Sequence, residues 1–320
     1  MKKMMALLLA MVLELAMAAC ATQPTPTKPS EDASQPTEGT QATEATQATE
    51  ATQATEATQA TEEDDAMTPA EMAAYDGKVV FQVERIGTLK NDGDFGVAQG
   101  ACTDGKYIYM ILENQNVDAE GGYKKNSHYC KIAKIDPATM ETVKLSEPLL
   151  VDHGNDMTYN SKTNQLLVVH NSPNLTYVSY VNPDTLELIE TVKDNDVKMY
   201  ALAYNPVTDQ YVAGLSNCYD FAILDSNLKM VQRFDGKDTG WTKQGVECDE
   251  NYIYFVHYKS DALIVYDWNG NYIKTVRMYL TRFGAQEPEA LMLLDGKFIM
   301  TSYIGGKGGG VIFSGKFVEG

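Results

Sequence analysis

Residues 243–278 read KQGVECDENYIYFVHYKSDALIVYDWNGNYIKTVRM, and this stretch decides the fold. It contains four apolar runs, with the alternation of a half-buried strand, separated by short polar turns. The predicted strands cover residues 244–248, 252–258, 262–267 and 272–278. Asn269-Gly270, in the last turn, is a hairpin signal, so neighbouring strands are predicted to run antiparallel. The stretch is therefore predicted to be a four-stranded antiparallel meander.

The same order of runs recurs along the C-terminal three quarters of the chain. The copies begin near Gln99, His153, Tyr200, Gln244 and Glu287, at a period of roughly 43 to 54 residues. Four strands per period indicate a β-propeller, in which each sheet buries its faces against its neighbours. The fold class is therefore predicted as all-β, a five-bladed propeller of four-stranded antiparallel blades.

The fifth copy has only three predicted strands, which would leave an open sheet edge. Residues 78–85 (KVVFQVER) form a predicted strand that stands alone before the first copy. Propellers commonly close by adding an N-terminal strand to the last blade, because closure removes exposed edges. We expect residues 78–85 to complete the fifth blade.

The chain begins with a predicted signal peptide at residues 1–19. Lys2 and Lys3 precede an apolar run, and small residues precede Cys20, a pattern typical of export. The ending Met17-Ala18-Ala19-Cys20 resembles the bacterial lipoprotein signal, which implies lipidation of Cys20 and anchoring to the outer face of the bacterial cell membrane. The alternative is an ordinary signal peptide that is cleaved nearby.

Residues 20–66 are predicted to be a disordered tether between Cys20 and a propeller domain at residues 67–320. After Cys20 the segment contains no aromatic or large aliphatic side chain, so it cannot bury enough apolar surface to offset its chain entropy. Its ten carboxylates and one lysine repel one another on balance and favour an extended chain. Just after the tether, Thr68 and Glu71 are spaced as a capping box and predict a short helix at residues 68–75.

The charge of the chain is strongly acidic, with 44 Asp and Glu against 26 Lys and Arg and a formal net charge of −18. Phosphate backbones require clustered Lys and Arg, so a nucleic-acid partner is not expected. Of the cysteines after Cys20, Cys102 and Cys248 are expected on inner strands. None of the cysteines has the spacing of a metal site, and no particular disulfide is predicted.

Strand direction predicts that one face of the propeller gathers the unusual residues. The start of each first strand and the end of each second strand lie on this face, which we call the top, and so do the long loops. The loops cover residues 91–98, 115–127, 235–243, 278–286 and 304–310. The predicted ligand-binding residues are Gln99, His153, Asn155, Tyr200, Gln244, Trp241 and Glu287.

Three carboxylates at the channel, Glu289, Glu247 and Asp156, are the candidate catalytic residues. Crowded carboxylates raise one another's pKa, which supplies an acid and a base near neutral pH. Carboxylate and amide oxygens also suit calcium, for which Asn155, Asp156 and Glu289 are the candidate ligands. The alternatives are structural: polar groups that satisfy strand ends, His170 and His257 as half-buried strand residues, and Trp241 as a loop anchor.

Two short motifs resemble the five-bladed glutaminyl cyclotransferases of plants and bacteria. Residues 97–105 (VAQGACTDG), followed by Tyr107-Ile108-Tyr109, resemble the first-blade motif of that family, and residues 287–291 (EPEAL) are similar to its acidic last-blade motif. The second and fourth blades differ, with His153-Gly154 and Gln244-Gly245 where the family tends to have Glu-Gly. A wider resemblance links the chain to lactonase-type and surface-protein propellers, some of which hold calcium at the channel mouth.

These observations predict a monomeric, surface-anchored propeller that binds an extracellular peptide, glycan or protein at the mouth of its channel. The alternative is an enzyme of the glutaminyl cyclotransferase or lactonase type. The changes at residues 153 and 244 favour the binding protein, since catalysis requires every carboxylate to be aligned.

Overall fold

The computed structural model describes residues 65–114, 128–193, 195–215, 219–240, 243–259, 261–283, 286–304 and 309–320. The predicted signal peptide, Cys20 and the tether up to residue 64 lie outside the described residues, as do Trp241, Cys218 and the loop at residues 115–127. Within the described residues no helix is long and apolar enough to cross a membrane.

The described part of the chain is nearly all β-structure. In chain order its strands are β1 (Val79–Leu89), β2 (Phe95–Thr103), β3 (Ile108–Asn114), β4 (Tyr129–Asp136), β5 (Glu141–Leu145), β6 (Leu149–Leu150), β7 (Asp156–Asn160), β8 (Gln165–Val169), β9 (Val178–Val181), β10 (Leu188–Val192), β11 (Met199–Asn205), β12 (Gln210–Leu215), β13 (Phe221–Leu224), β14 (Met230–Phe234), β15 (Lys243–Cys248), β16 (Tyr252–His257), β17 (Ala262–Asp267), β18 (Tyr272–Met278), β19 (Gln286–Leu294), β20 (Lys297–Ile304) and β21 (Gly310–Glu319). Helix α1 covers Pro69–Ala74, and a 3₁₀ turn covers Leu280–Phe283.

The strands pair into antiparallel units of four. We call them unit A (β2 to β5, with β6 added against β4), unit B (β7 to β10), unit C (β11 to β14), unit D (β15 to β18) and unit E (β19 to β21 with β1). The strands of residues 243–278 agree with the prediction to within one residue. Strand β2 begins at Phe95, inside the predicted loop 91–98, and the short strand β6 was not predicted.

The N-terminal strand β1 completes unit E, as predicted. It pairs antiparallel with β21 from Val79 opposite Glu319 to Leu89 opposite Gly310, and its outer edge makes a short parallel contact with β18. It extends four residues past the predicted end at Arg85, through a register shift between Arg85 and Gly87. The first and last strands of the described domain are therefore neighbours.

The units follow one another around a ring. Their first strands contact each other in the order β2, β7, β11, β15, β19 and back to β2. Each hydrophobic cluster joins two consecutive units; one joins Tyr254 of unit D to Phe81 and Phe317 of unit E, all fully buried. Burial of such side chains contributes roughly 1.5 to 3 kcal/mol each. This arrangement of antiparallel four-stranded sheets is consistent with a propeller.

Helix α1 forms where the capping box predicted it. The Thr68 hydroxyl accepts a hydrogen bond from the Glu71 backbone N–H, and the Glu71 carboxylate accepts one from the Thr68 N–H at 2.8 Å. Met72 is fully buried against units D and E. Lys274 of β18 donates from its Nζ to the Met72 carbonyl at 2.9 Å, which ties the helix to unit D.

Three of the cysteines lie in the described residues. Cys102, Cys130 and Cys248 are free and buried, and Cys102 and Cys248 lie on the first strands β2 and β15, as expected. Burial raises the pKa of each of these thiols well above its ordinary value, so they are small apolar packing groups.

Candidate functional site

In units A, C, D and E, the hydrogen-bond ladder between the first and second strands of the unit is irregular at predicted site residues. Register shifts occur between Ala98 and Ala101, Met199 and Ala201, Lys243 and Val246, and Pro288 and Ala290. The residues inside these shifts are Gln99-Gly100, Tyr200, Gln244-Gly245 and Glu289. A bulge re-aims side chains and is frequent beside functional sites. The bulges therefore set these residues apart from ordinary ladder positions.

Two glycines in the bulges allow neighbouring first strands to approach closely. A Cβ on Gly100 would lie 2.3 Å from the Asp156 Cα, and a Cβ on Gly245 would lie 2.5 Å from the Glu289 carbonyl oxygen. Real Cβ atoms do not come so close to backbone atoms, so any side chain would push the strands apart. The Gln-Gly pairs in units A and D thus have a packing reason as well as a functional one.

Asp156 lies at the centre of the ring and joins three of the first strands. Its Oδ1 accepts from the Met157 N–H at 2.9 Å, and its Oδ2 accepts from the N–H groups of Leu202 at 3.0 Å and Val246 at 3.2 Å. The residue is 1% exposed. Burial raises the pKa of Asp156, whereas the three amide donors favour the charged form. Asp156 therefore has a structural role: its carboxylate ties three first strands together through hydrogen bonds.

Asn155 connects the first-strand residues with the end of a second strand. Its Nδ2 donates to the carbonyl oxygens of Tyr200 at 2.7 Å and Gln244 at 3.1 Å, and its Oδ1 accepts from the Asn171 side chain at 2.8 Å. Asn155 is buried, so these bonds occupy its amide. The predicted first-strand and second-strand ends do meet on one face.

The polar side chains at this end of the first and second strands, which we call the mouth, are hydrogen-bonded in pairs. The Nδ1 of His153 lies 2.8 Å from Glu113 Oε1, and the Gln244 Nε2 donates to Glu287 Oε1 at 2.7 Å. Burial alone would lower the pKa of His153, but the hydrogen bond to Glu113 and the charges of Glu113 and Glu287 raise it. Burial raises the pKa of Glu287, with His153 and Gln244 opposing the shift.

Glu289 is the most unusual side chain of the mouth. It is 1% exposed, and its Oε1 has no hydrogen-bond partner among the described residues. Burial, followed by the charges of Glu287, Glu113 and Asp156, raises the pKa of Glu289 well above its ordinary value. Buried polar atoms almost always have a partner, so an orphaned carboxyl oxygen in this position indicates a place where a ligand or water binds.

Glu247, the third candidate catalytic carboxylate, lies toward the opposite end of β15 from Gln244 and is half-buried. Its Oε1 accepts from the Cys248 N–H at 2.7 Å, and the Leu293 N–H of the neighbouring first strand also donates to the carboxylate. Burial raises the pKa of Glu247 to about 8, against the lowering effect of these amides. The pKa values of Glu247 and Glu289 are therefore both shifted upward by burial.

The remaining predictions for the site have mixed outcomes. Gln99 is buried in its bulge, and Tyr200 contributes its backbone carbonyl to Asn155. The described residues contain no group of three or more His, Cys, Asp or Glu that could hold a metal, and a calcium site at Asn155, Asp156 and Glu289 stays a prediction. Both Asp156 oxygens and the Asn155 amide accept hydrogen bonds from, or donate them to, other protein groups.

Glu113 and Asn171 belong to the site although the candidate residues from the sequence did not include them. Both lie at ends of second strands, so the strand-direction argument placed them on the right face without identifying their partners. The geometry alone brings Glu113 to His153 and Asn171 to Asn155.

The two strand histidines are structural, as the alternative interpretation expected. His170 is 1% exposed and lies between Asp152 Oδ2 and Ser179 Oγ, at 2.7 Å from each. This Ser-His-Asp order resembles a hydrolase triad, but Ser179 is fully buried and its Oγ also lies 2.8 Å from the Thr191 Oγ1, so the serine is part of an internal hydrogen-bond network. His257 is also buried, and burial together with the charge of Lys243 lowers its pKa to about 3.

The ring of antiparallel sheets, with its polar residues at one mouth, places the chain in the class of propeller-like proteins. Solved structures are similar to it: glutaminyl cyclase from Myxococcus xanthus is 13% identical, with 75% of this chain and 98% of that chain covered and a TM-score of 0.54. Streptogramin B lyase is 10% identical, with 72% of each chain covered and a TM-score of 0.41. No family model matches the sequence, and no curated protein is detectably similar to it. At these identities the first likeness concerns the fold alone.

Proposed function

We propose that this chain is a monomeric bacterial surface lipoprotein whose five-bladed propeller binds an extracellular ligand at the channel mouth. In this proposal Cys20 carries the lipid anchor at the outer face of the cell membrane, and residues 20–66 hold the domain away from it. The ligand is a peptide, glycan or protein that presents a positively charged group, such as an amine, to the mouth.

The observation that carries this proposal is the unpartnered Oε1 of Glu289. A buried carboxyl without a partner costs about 1 to 3 kcal/mol, and a donor on a ligand would remove that cost. An ammonium group offers three donors and no acceptor. Glu287 and Glu113 lie close enough for their charges to raise the pKa of Glu289, so a bound cation would interact favourably with all three carboxyls.

The function is tested by a binding screen with a library of peptides that carry free amino termini. Glu289→Gln keeps the size of the side chain but removes its negative charge, so it should weaken each hit by about 1 to 3 kcal/mol, roughly 5- to 150-fold. Glu250→Gln, at an exposed turn at the other end of β15, is the matched control and should bind normally. Equal binding by Glu289→Gln, or a ligand mapped to the opposite face, would contradict the proposal.

A second candidate function is catalysis at the same mouth. It is favoured by the raised pKa values of Glu289 and Glu247, since a carboxyl with a raised pKa can serve as a proton donor, and by the fold similarity to a glutaminyl cyclase. The test is incubation with a peptide that begins with glutamine. Formation of the pyroglutamyl peptide with release of ammonia, and loss of this activity in Glu289→Gln, would favour the enzyme as the function. Binding without turnover would favour the binding protein.

A further inference from the structure

A cleft of about 550 Å³ opens beside the mouth, between the segment that precedes β15 and the strands β17 and β18. Its lining includes three cationic side chains, Lys237, Lys259 and Arg277, and one carboxylate, Asp238. The whole chain has many more carboxylates than cations, so the charge of this cleft is opposite in sign to that of the chain. A local excess of positive charge in an acidic protein attracts anionic groups.

We propose that this cleft is an anion-binding subsite for the same ligand, an inference that rests on the proposed function. The amine of the ligand lies in the mouth, and a carboxylate or phosphate of the ligand lies against Lys237, Lys259 and Arg277. The ligand is thus dipolar, with a positive group and a negative group on one molecule.

The cations of the cleft are held by the fold. The Lys237 Nζ lies 4.0 Å from the centre of the Tyr272 ring, and the Lys237 N–H donates to the Tyr266 hydroxyl at 2.7 Å. Arg277 lies on β18 opposite Ala262 of β17, so its backbone is part of a regular ladder. A guanidinium on a rigid strand can bind a carboxylate or phosphate through two parallel hydrogen bonds.

The floor and rim of the cleft suit a small polar anion. Ala262 and Ile264 are buried and apolar, and Thr239 and Thr275 add hydroxyl groups to the lining. Asp261 lies close enough for the charge of Arg277 to oppose the effect of burial, which raises the pKa of Asp261. Arg277 is therefore partly neutralised, and Lys237 and Lys259 supply the rest of the positive charge.

Two interactions link residues of the cleft to residues near the mouth. Lys259 lines the cleft, and its charge also lowers the pKa of Glu287 at the mouth, against the raising effect of burial. The Thr239 hydroxyl lies 2.9 Å from the Nδ1 of His257, which pairs with Lys243, the residue before Gln244. In the proposal, one ligand contacts both Glu287 and Lys259.

The subsite is tested first with inorganic phosphate and acetate as probes on the full chain, by NMR titration of backbone amides. We expect shift changes clustered at residues 237–239 and 275–277, and at least a fivefold loss of affinity in Lys237→Gln and Arg277→Gln. Lys106→Gln is the matched control, because Lys106 is an exposed lysine over a tyrosine ring in unit A. Scattered shifts, or equal affinity in all three variants, would overturn the subsite.

A second experiment separates failure of this inference from failure of the proposed function. Peptides that bind at the mouth are compared with their amino-acetylated forms and with forms in which every carboxylate is an amide. The dipolar ligand is supported if both changes weaken binding fivefold or more in the parent chain. In Arg277→Gln, amidation of the peptide should then no longer change the affinity, whereas acetylation should still weaken binding. If only acetylation weakens binding, ligand binding at the mouth is supported and the anion-binding subsite in the cleft is wrong. If neither change matters, both proposals are wrong.

Discussion

Three carboxyls on the first strands, Asp156, Glu247 and Glu289, differ because their hydrogen-bond partners differ. Asp156 accepts from three backbone N–H groups and is a structural tie. Glu247 accepts from two amides, yet burial still raises its pKa to about 8. Glu289 keeps an oxygen without a partner among the described residues. The number of hydrogen-bond donors around each carboxyl, rather than the residue type, therefore distinguishes the structural carboxyl from the candidate ligand-binding group.

Glu247 makes stability depend on pH in a predictable direction. Its pKa is about 8 in the folded chain against an ordinary 4.5, so the folded state binds more protons than the unfolded state between these values. The free energy of unfolding should therefore decrease as the pH rises from about 4.5 to about 8. Glu247→Gln should reduce that decrease and stabilise the chain above pH 8 by on the order of 1 to 3 kcal/mol.

The measurement is urea denaturation at several pH values, for the parent chain and for Glu247→Gln. Glu250→Gln is the control, because Glu250 is exposed at the turn that follows the same strand. An unchanged pH dependence in Glu247→Gln would show that Glu247 is ionised in the folded state at neutral pH.

At the level of elements, the first strands do two tasks at once. Their regular parts pair with the second strands, and their bulges direct Gln99, Tyr200, Gln244 and Glu289 away from the ladder. Glycines at residues 100 and 245 let the bulged segments touch the neighbouring first strand. The site is thus built from the innermost strands of several sheets, which hold it more rigidly than loops would.

Strand β1 should be required for cooperative folding, because it is the fourth strand of unit E. A chain that begins at residue 90 exposes the edge of β21 and loses Phe81 and Val83 from the core, so we expect its single unfolding transition to broaden or disappear. A chain that begins at residue 76 keeps β1 and removes α1. It should lose only about 1.5 to 3 kcal/mol, the burial of Met72.

Urea unfolding followed by far-ultraviolet circular dichroism compares the two truncated chains. Retention of one sharp transition in the chain that begins at residue 90 would mean that the ring holds without β1.

For the whole molecule, the placement of charge is consistent with the proposed tethered domain. The predicted tether carries ten of the 44 acidic residues and one lysine, and like charges extend such a segment. In the described domain, Glu113, Glu287 and Glu289 lie at the mouth, and Lys237, Lys259 and Arg277 line the cleft. An extended tether would leave that mouth accessible to partners beyond the envelope.

The anchor is predicted to depend on Cys20. In Cys20→Ala the protein should move from the membrane fraction to the soluble or secreted fraction, since a single spanning helix is not what the first 19 residues predict. Cys130→Ala, at a buried position of the domain, is the control and should stay in the membrane fraction. Membrane retention of Cys20→Ala would contradict the lipoprotein assignment. The measurement is immunoblotting of separated fractions.

The repeat, the strand positions and the face of the site could be predicted from the sequence, because they depend on local patterns. Alternating apolar residues set the strands of residues 243–278 to within one residue, and the capping box set α1. Strand direction then placed Gln244, Glu287 and Glu289 on one face. One boundary failed where a turn intervened: the second copy opens at His153, but β7 begins at Asp156, after a turn that includes Gly154 at a φ of 57°.

Only the tertiary structure decided what each polar residue does. Asp156 is a tie because amides 46 and 90 positions further along the chain reach its Oδ2, and no local pattern encodes such distances. Asn155 joins the first strands for the same reason, since its amide donates to residues 45 and 89 positions away. Glu289 becomes a candidate ligand group because closure of the ring buries it without supplying a partner. Strands follow from neighbouring residues, whereas the burial and partners of a side chain follow from the closed ring.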